Sequence, residues 1–314
     1  MKRVVTGGDL TQHAMRPADL QDTYLARAVS DVDKFGLLDG GLARDCPACG
    51  GPGEVEFVRL GFPYLRCRQC RTLFVSPVPA EDRLARYHAD GEAERFRREE
   101  MLPLTADVRA RHAMAPRAHW VRAAAARRGA GRRFAHLGKD ATPFVDLLRA
   151  SGVEVQPLER PSGDAVTDLV DGVIAFDTLE RSPVLSRALS RCRGVLKPQG
   201  LLFVTTMSGD GLEVRVLGAG TRSLVPPVHL QLLSRAGWEA ALAGEGFRLA
   251  EYSTPGELDV QAVAEVCRRD VEVQLPPILD DLVRHEDEQV GRAFQEVLQQ
   301  AGLSAHVQLV AEAV

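Results

Sequence analysis

Residues 171–207 read DGVIAFDTLERSPVLSRALSRCRGVLKPQGLLFVTTM. Two β-prone runs, GVIAF and LLFVTTM, flank a helical stretch through VLSRALSRCRGVL, with KPQG as the turn before the second run. Strand, helix, strand in this order predicts a crossover between parallel neighbours, and such sheets are covered by helices on both faces. Upstream, RFAHLG at 133–138, a helix through PFVDLLRASG and VEVQPLE at 153–159 repeat the alternation. Downstream come a helix through SRAGWEAALAGEG, the strand FRLAEYST, helical stretches between 259 and 301, and a final strand-like SAHVQLVAE. The predicted fold class is α/β, with a mostly parallel Rossmann-like sheet.

The texture changes ahead of this region. Between Arg44 and Pro79, short β-prone pieces (EVEFVRL, YLRC, TLFVS) lie among Gly and Pro. Cys46-Pro-Ala-Cys49 and Cys67-Arg-Gln-Cys70 are separated by seventeen residues, inside the window of a four-cysteine zinc ribbon. Each CxxC turn lets two thiolates reach one ion, and four thiolates fill a tetrahedral zinc with no position left for substrate. The site therefore reads as structural, supplying folding free energy that a small module lacks. Iron is the alternative metal, and a redox dithiol is disfavoured because that CxxC comes singly beside a βαβ unit. Cys192 and Cys267 stand alone in helical surroundings, so metal fits the cysteines better than disulfides do.

Residues 17–35 place Leu20, Tyr24, Leu25, Ala28, Val29, Val32 and Phe35 at helical spacing. Residues 80–133 are helical and rich in Arg and Ala, with thirteen Arg against eight acids, and read as a solvated face bridging two modules. Over all 314 residues, 39 basic and 43 acidic side chains give −4, which argues against nucleic acid and anionic membranes as partners. With 45% hydrophobic residues, no membrane-length apolar run and no signal-peptide pattern, a globular cytoplasmic protein is expected. The expected organisation is a helical segment at 1–43, the zinc ribbon at 44–79, a helical connector at 80–130, the Rossmann-like domain at 131–258, and helices with a closing strand at 259–314.

In an open α/β sheet a cofactor lies across the carboxyl ends of the strands. Gly138 occupies the turn after the first strand, in Gly138-Lys139-Asp140-Ala141-Thr142. Twenty-one residues on, Glu159 ends the second strand, the place from which a carboxylate hydrogen-bonds a ribose diol. Asp177 follows the strand GVIAF and faces the same edge.

Taken together the chain resembles class I S-adenosylmethionine (SAM)-dependent methyltransferases that carry an N-terminal zinc ribbon and act mainly on small molecules. The resemblance runs over most of the length. It rests on the double CxxC followed by TLFVSPVP at 72–79, FDTLER at 176–181, VLKPQGLLF at 195–203, His229-Leu230 leading to Gly246-Phe247, TPGELDV at 254–260 and LSAH at 303–306. It implies a class I methyltransferase fold, a structural zinc on Cys46, Cys49, Cys67 and Cys70, SAM contacts from Gly138, Glu159 and Asp177, and a pocket-facing His229 as candidate general base.

The chain departs from the family where the cofactor binds. The acid and glycine run expected after the first strand read His136, Gly138, Lys139, Asp140 and Thr142, and Leu-Glu-His reads Leu179-Glu180-Arg181. Between Glu159 and Gly172 only twelve residues remain where the family places a helix, an edge strand and an adenine-holding loop, with Asp164 or Asp168 as the acids present. Loss of that strand leaves VEVQPLE at the sheet edge, where Pro157 costs no ladder bond. The expected function is a non-methylating homologue with a degenerate SAM site, serving a small-molecule biosynthetic pathway as partner subunit or as binder of another ligand. The alternative is an active SAM-dependent methyltransferase tailoring a bacterial secondary metabolite.

Overall fold

A computed structural model describes residues 10–138, 143–158, 169–270, 273–285 and 287–314. Lys139, Asp140, Thr142, Glu159, Asp164 and Asp168 lie outside the described residues. The main sheet contains β4 (Arg133–His136), β5 (Glu154–Pro157), β6 (Val170–Phe176), β7 (Leu196–Met207), β9 (Phe247–Ser253) and β10 (His306–Ala313), in the order β5-β4-β6-β7-β10-β9. β4 pairs in parallel with β5 and β6, and β6 with β7. β10 enters antiparallel between β7 and β9. This order, with one reversed strand next to the last, is the class I methyltransferase fold. Among the described residues β5 pairs only with β4, so it is the sheet edge.

Side chains alternate across the sheet into two cores. Ala135, Val173, Ala175, Leu202 and Val204 face one way, under Leu189 and Cys192 of the helix Leu185–Val195 and Trp238 and Leu242 of the helix Arg235–Gly244. Phe134, Ile174, Leu201 and Phe203 face the other, under Val121 of the helix Ala115–Arg127 and Phe144 and Leu148 of the helix Pro143–Ala150. Helices thus cover both faces, and the strands read as continuous apolar runs for that reason. The KPQG turn does not precede β7 but bulges within it. Val170 pairs with Leu196 and Gly172 with Leu201, and Gln199 takes φ +62° inside the bulge.

The second sheet is small and joins the first. β1 (Gly53–Arg59), β2 (Phe62–Cys67) and β3 (Leu73–Val75) form an antiparallel meander, and β3 then pairs with β8 (Gln231–Leu232), which follows β7 in the chain. Cys46, Cys67, Cys70 and Phe74 belong to the same buried cluster as the main sheet's lower core. The long helix Ala18–Lys34 buries Tyr24, Ala28 and Val32 at i, i+4 and i+8. Among the described residues no helix is long and apolar enough to cross a membrane.

Candidate functional site

Four sulfurs converge where the meander begins and ends. The sulfurs of Cys46, Cys49, Cys67 and Cys70 all lie within 4.8 Å of one another, with Cys46–Cys70 and Cys49–Cys67 both at 3.5 Å. A zinc–sulfur bond of about 2.3 Å in a tetrahedron sets sulfur–sulfur separations near 3.8 Å, whereas a disulfide needs about 2.0 Å. Backbone N–H groups of Ala48 and Cys49 point at the Cys46 sulfur, and those of Gln69 and Cys70 at Cys67, as sulfur in its anionic form requires. The donor set fits a closed tetrahedral metal. It could hold zinc.

The second constellation sits at the carboxyl ends of β4, β6 and β7. Gly138 ends the β4 turn at φ +142°, and a Cβ there would meet His136 Cε1 at 3.0 Å. His136 itself is buried beneath that turn. Asp177 follows β6 in the left-handed region, φ +51°, which Asp tolerates better than most residues. Its N–H donates to the Thr205 carbonyl and its Oδ1 accepts from Thr205 Oγ1 at 3.0 Å. Its Oδ2 accepts from Arg117 Nη1 at 2.8 Å, yet the Asp177 side chain keeps 45% of its surface open. Burial alone would raise its pKa, but the guanidinium beside it holds the carboxyl well below the usual range.

Arg117 comes from the helix Ala115–Arg127, whose Ala118, Val121 and Ala124 pack on the sheet and so aim Arg117 along its edge. Its Nη2 lies 3.2 Å from His306 Nε2, at the start of β10. A guanidinium has no acceptor, so that nitrogen accepts and the His306 ring proton is on Nδ1. Burial, then the Arg117 charge, push His306 down to about 4 and keep it neutral.

Glu180 lies on the turn Leu179–Arg181, only 4% exposed, and its Oε2 has no hydrogen-bond partner among the described residues. Burial, then the Asp177 charge, push its pKa up to about 8, so the carboxyl carries its proton at neutral pH. Arg181 turns the opposite way. Its Nη1 meets Glu94 Oε2 at 2.8 Å, and Glu94 Oε1 accepts from Tyr24 Oη at 3.2 Å. Burial of Glu94 opposes ionisation, but Arg181 and Arg97 overcome it and hold the carboxyl at about 2.

His229 is half-buried beside this turn. Its Nδ1 lies 3.1 Å from the Val225 nitrogen and 3.2 Å from the Val225 carbonyl, so this ring atom is held by the Val225 backbone. Burial, then Arg181, push it down to about 4.

Asp177 and Gly138 are thus brought to one edge, with His229 on the far side of the Glu180 turn. Sequence reasoning missed Arg117 and the partner of Arg181, because Arg117 and Glu94 sit in the Arg-rich stretch read as a solvated face. The signal available was the alanine-lined face of 118–125, which demands a buried contact.

No family model and no curated protein matches the chain. Solved structures do. A putative sarcosine dimethylglycine methyltransferase from Galdieria sulphuraria is 16% identical over 64% of this chain and 87% of its own, with TM-score 0.39. The mitomycin 7-O-methyltransferase MmcR is 15% identical over 73% and 60%, with TM-score 0.43. The Haloferax volcanii putative methyltransferase, in its complex with the Trm112 methyltransferase activator, is 16% identical over 73% and 97%, with TM-score 0.39. These are likenesses of fold alone. The chain is a class I methyltransferase-fold protein with a four-cysteine cluster.

Proposed function

We propose that the protein is a non-methylating homologue that uses the cleft at the carboxyl edge of its sheet to bind a ligand other than SAM, in a small-molecule biosynthetic pathway. The observation that carries this is the Arg117–Asp177 pair. SAM presents a sulfonium cation, which is stabilised by acceptors and negative potential. Here the exposed carboxylate after β6 is neutralised from within by a guanidinium, and His306 beside it is a neutral group. A cation paired to the carboxylate and a neutral imidazole beside it suit a sulfonium poorly. Asp140 and Thr142, where the family has glycines, and the added cation of Lys139 support the same reading. A protein partner remains part of this proposal, because among the described residues β5 ends the sheet with an unpaired edge.

The alternative, an active methyltransferase, draws support from the strand order and from Gly138, whose φ of +142° keeps a glycine at the first turn. Titration calorimetry with SAM and S-adenosylhomocysteine separates the two. No heat at millimolar ligand is expected, and micromolar binding overturns the non-methylating reading. We further propose that Cys46, Cys49, Cys67 and Cys70 hold one structural zinc.

A further inference from the structure

β1 is the outer strand of the small sheet and, among the described residues, pairs only with β2. No strand lies beside its outward N–H and C=O groups, and such an edge is a template for another strand. A bulge after Val55 sets what this edge displays. Val55 lies opposite Leu65 and Val58 opposite Pro63, whereas Glu54, Phe57 and Arg59 lie opposite Arg66, Tyr64 and Phe62. Side chains of β2 alternate between faces, and residues opposite one another share a face. Val55 and Val58 thus stand on one face, and Glu54, Phe57 and Arg59 on the other. Glu56, the extra residue, joins the second face, since its carboxylate meets the Arg66 guanidinium at 2.6 and 2.8 Å. Val55 and Val58 are 63% and 52% exposed.

From Glu54 to Arg59 the order of faces reads the same in both directions. An ordinary strand alternates strictly, so it matches this edge on one side of the bulge only. A second copy of β1, run antiparallel about a twofold axis between Glu56 and Phe57, matches it throughout. In that register Val55 lies opposite the second copy's Val58, and Glu54 opposite its Arg59. A shift of one residue either way sets Val58 against Glu54, or Val55 against Arg59, and those pairs point to opposite faces. Chemistry selects the same register, because apolar meets apolar and carboxylate meets guanidinium. Arg59 holds the Leu224 carbonyl through Nε and the Ala219 carbonyl through Nη1, which leaves Nη2 with no hydrogen-bond partner among the described residues. Glu54 already meets Arg68 at the surface, so its pair with Arg59 would set register more than strength.

We propose that β1 is a homodimer interface, at which a second copy of this chain adds its own β1 and fuses the two four-stranded sheets into one. The bulge that spoils pairing with a regular strand lies on the twofold axis and meets only its own copy. Two Val55–Val58 pairs form the apolar centre of the contact, flanked by the two Glu54–Arg59 pairs. So small an interface gives a reversible dimer, with a dissociation constant in the micromolar range. The proposal is independent of what the carboxyl edge of the main sheet binds.

The test uses the full-length protein with its metal, in sedimentation equilibrium from low to high micromolar concentration. The mass is expected to rise from the 34.2 kDa of one chain toward twice that value. Val55→Glu with Val58→Glu sets carboxylate against carboxylate and should weaken dimerisation by about tenfold or more. Val55→Glu with Val58→Arg changes the same two positions but sets carboxylate against guanidinium, and should restore the dimer. Leu104→Glu, at an exposed leucine of another element, should leave the mass curve unchanged. A single-chain mass at every concentration overturns the proposal. So does a dimer that survives the paired glutamates, or a Glu–Arg variant as monomeric as the Glu–Glu one. A second measurement reads the register directly and spares the charge changes. Val55→Cys mixed with Val58→Cys should cross-link under mild oxidation, and neither variant should do so alone. Absence of the mixed cross-link, or equal cross-linking by either variant alone, overturns the register and the proposal with it.

Discussion

Glu180 carries the most readable pH signature among the individual side chains. Its folded pKa is raised to about 8 from an ordinary 4.5, so the folded chain binds a proton that the unfolded chain has lost. Its contribution to stability is therefore complete below about 4.5 and declines as pH rises toward 8. His229 and His306 act in the opposite sense and lower down. Their folded values near 4 against 6.5 mean stability lost as pH falls through that interval. Between pH 6.5 and 8 the Glu180 contribution is clear of the two histidines, while Glu213 and Glu257, whose carboxyls burial also raises, act in the same sense. Urea unfolding across that window should show wild-type stability falling with pH, and Glu180→Gln should flatten the slope. An unchanged slope would place the proton elsewhere. Arg181 gives a second prediction at this scale. Arg181→Ala leaves Glu94 buried with only Arg97 at 3.4 Å, and should cost about 3 kcal/mol in urea unfolding. Adding Glu94→Leu should recover part of that loss. The sequence singled out Arg181 but not its partner, because Glu94 and Arg181 stand 87 positions apart and no local pattern couples them.

Elements were more legible than contacts. The parallel core around GVIAF and LLFVTTM could be read because strands buried on both faces must be apolar throughout, and β6 and β7 are. The double CxxC was readable because metal chemistry fixes both spacing and residue type. Two features were hidden. β8 is two residues long and looks like loop until β3 is beside it. The helix Ala115–Arg127 reads as solvated from its arginines, whereas its alanines decide its position. A prediction follows for the cysteine element. Because its residues share a core with the main sheet, removing the metal should not melt the meander alone. Chelation, or Cys67→Ser, should lower the unfolding free energy of the whole chain by several kcal/mol, in the order of a structural zinc site. Retention of one equivalent of zinc and full stability by Cys67→Ser would refute the ligand set.

At the scale of the whole molecule, part of the basic charge is paired between segments distant in the chain. Arg127 and Arg128 both meet Glu251, Arg83 meets Asp39, and Arg117 meets Asp177. Near-neutral net charge concealed this, since a sum over the chain says nothing about where cations sit. The cofactor question was likewise open in the sequence, because a cleft is assembled from segments far apart in the chain. Arg117, Asp177 and His306 meet from three of them.

The two-residue ladder between β3 and β8 has a practical consequence. Arg44 spans it, donating from Nε to the Val75 carbonyl and from its guanidinium ends to Pro183, Leu230 and Gln231, while the Leu230 N–H donates to the Glu180 carbonyl. The cysteine knuckles and the loop bearing Glu180 are therefore riveted together rather than strung in series. Dissecting the gene at residue 79 would strip acceptors from one fragment and donors from the other, so neither half is a sensible expression target.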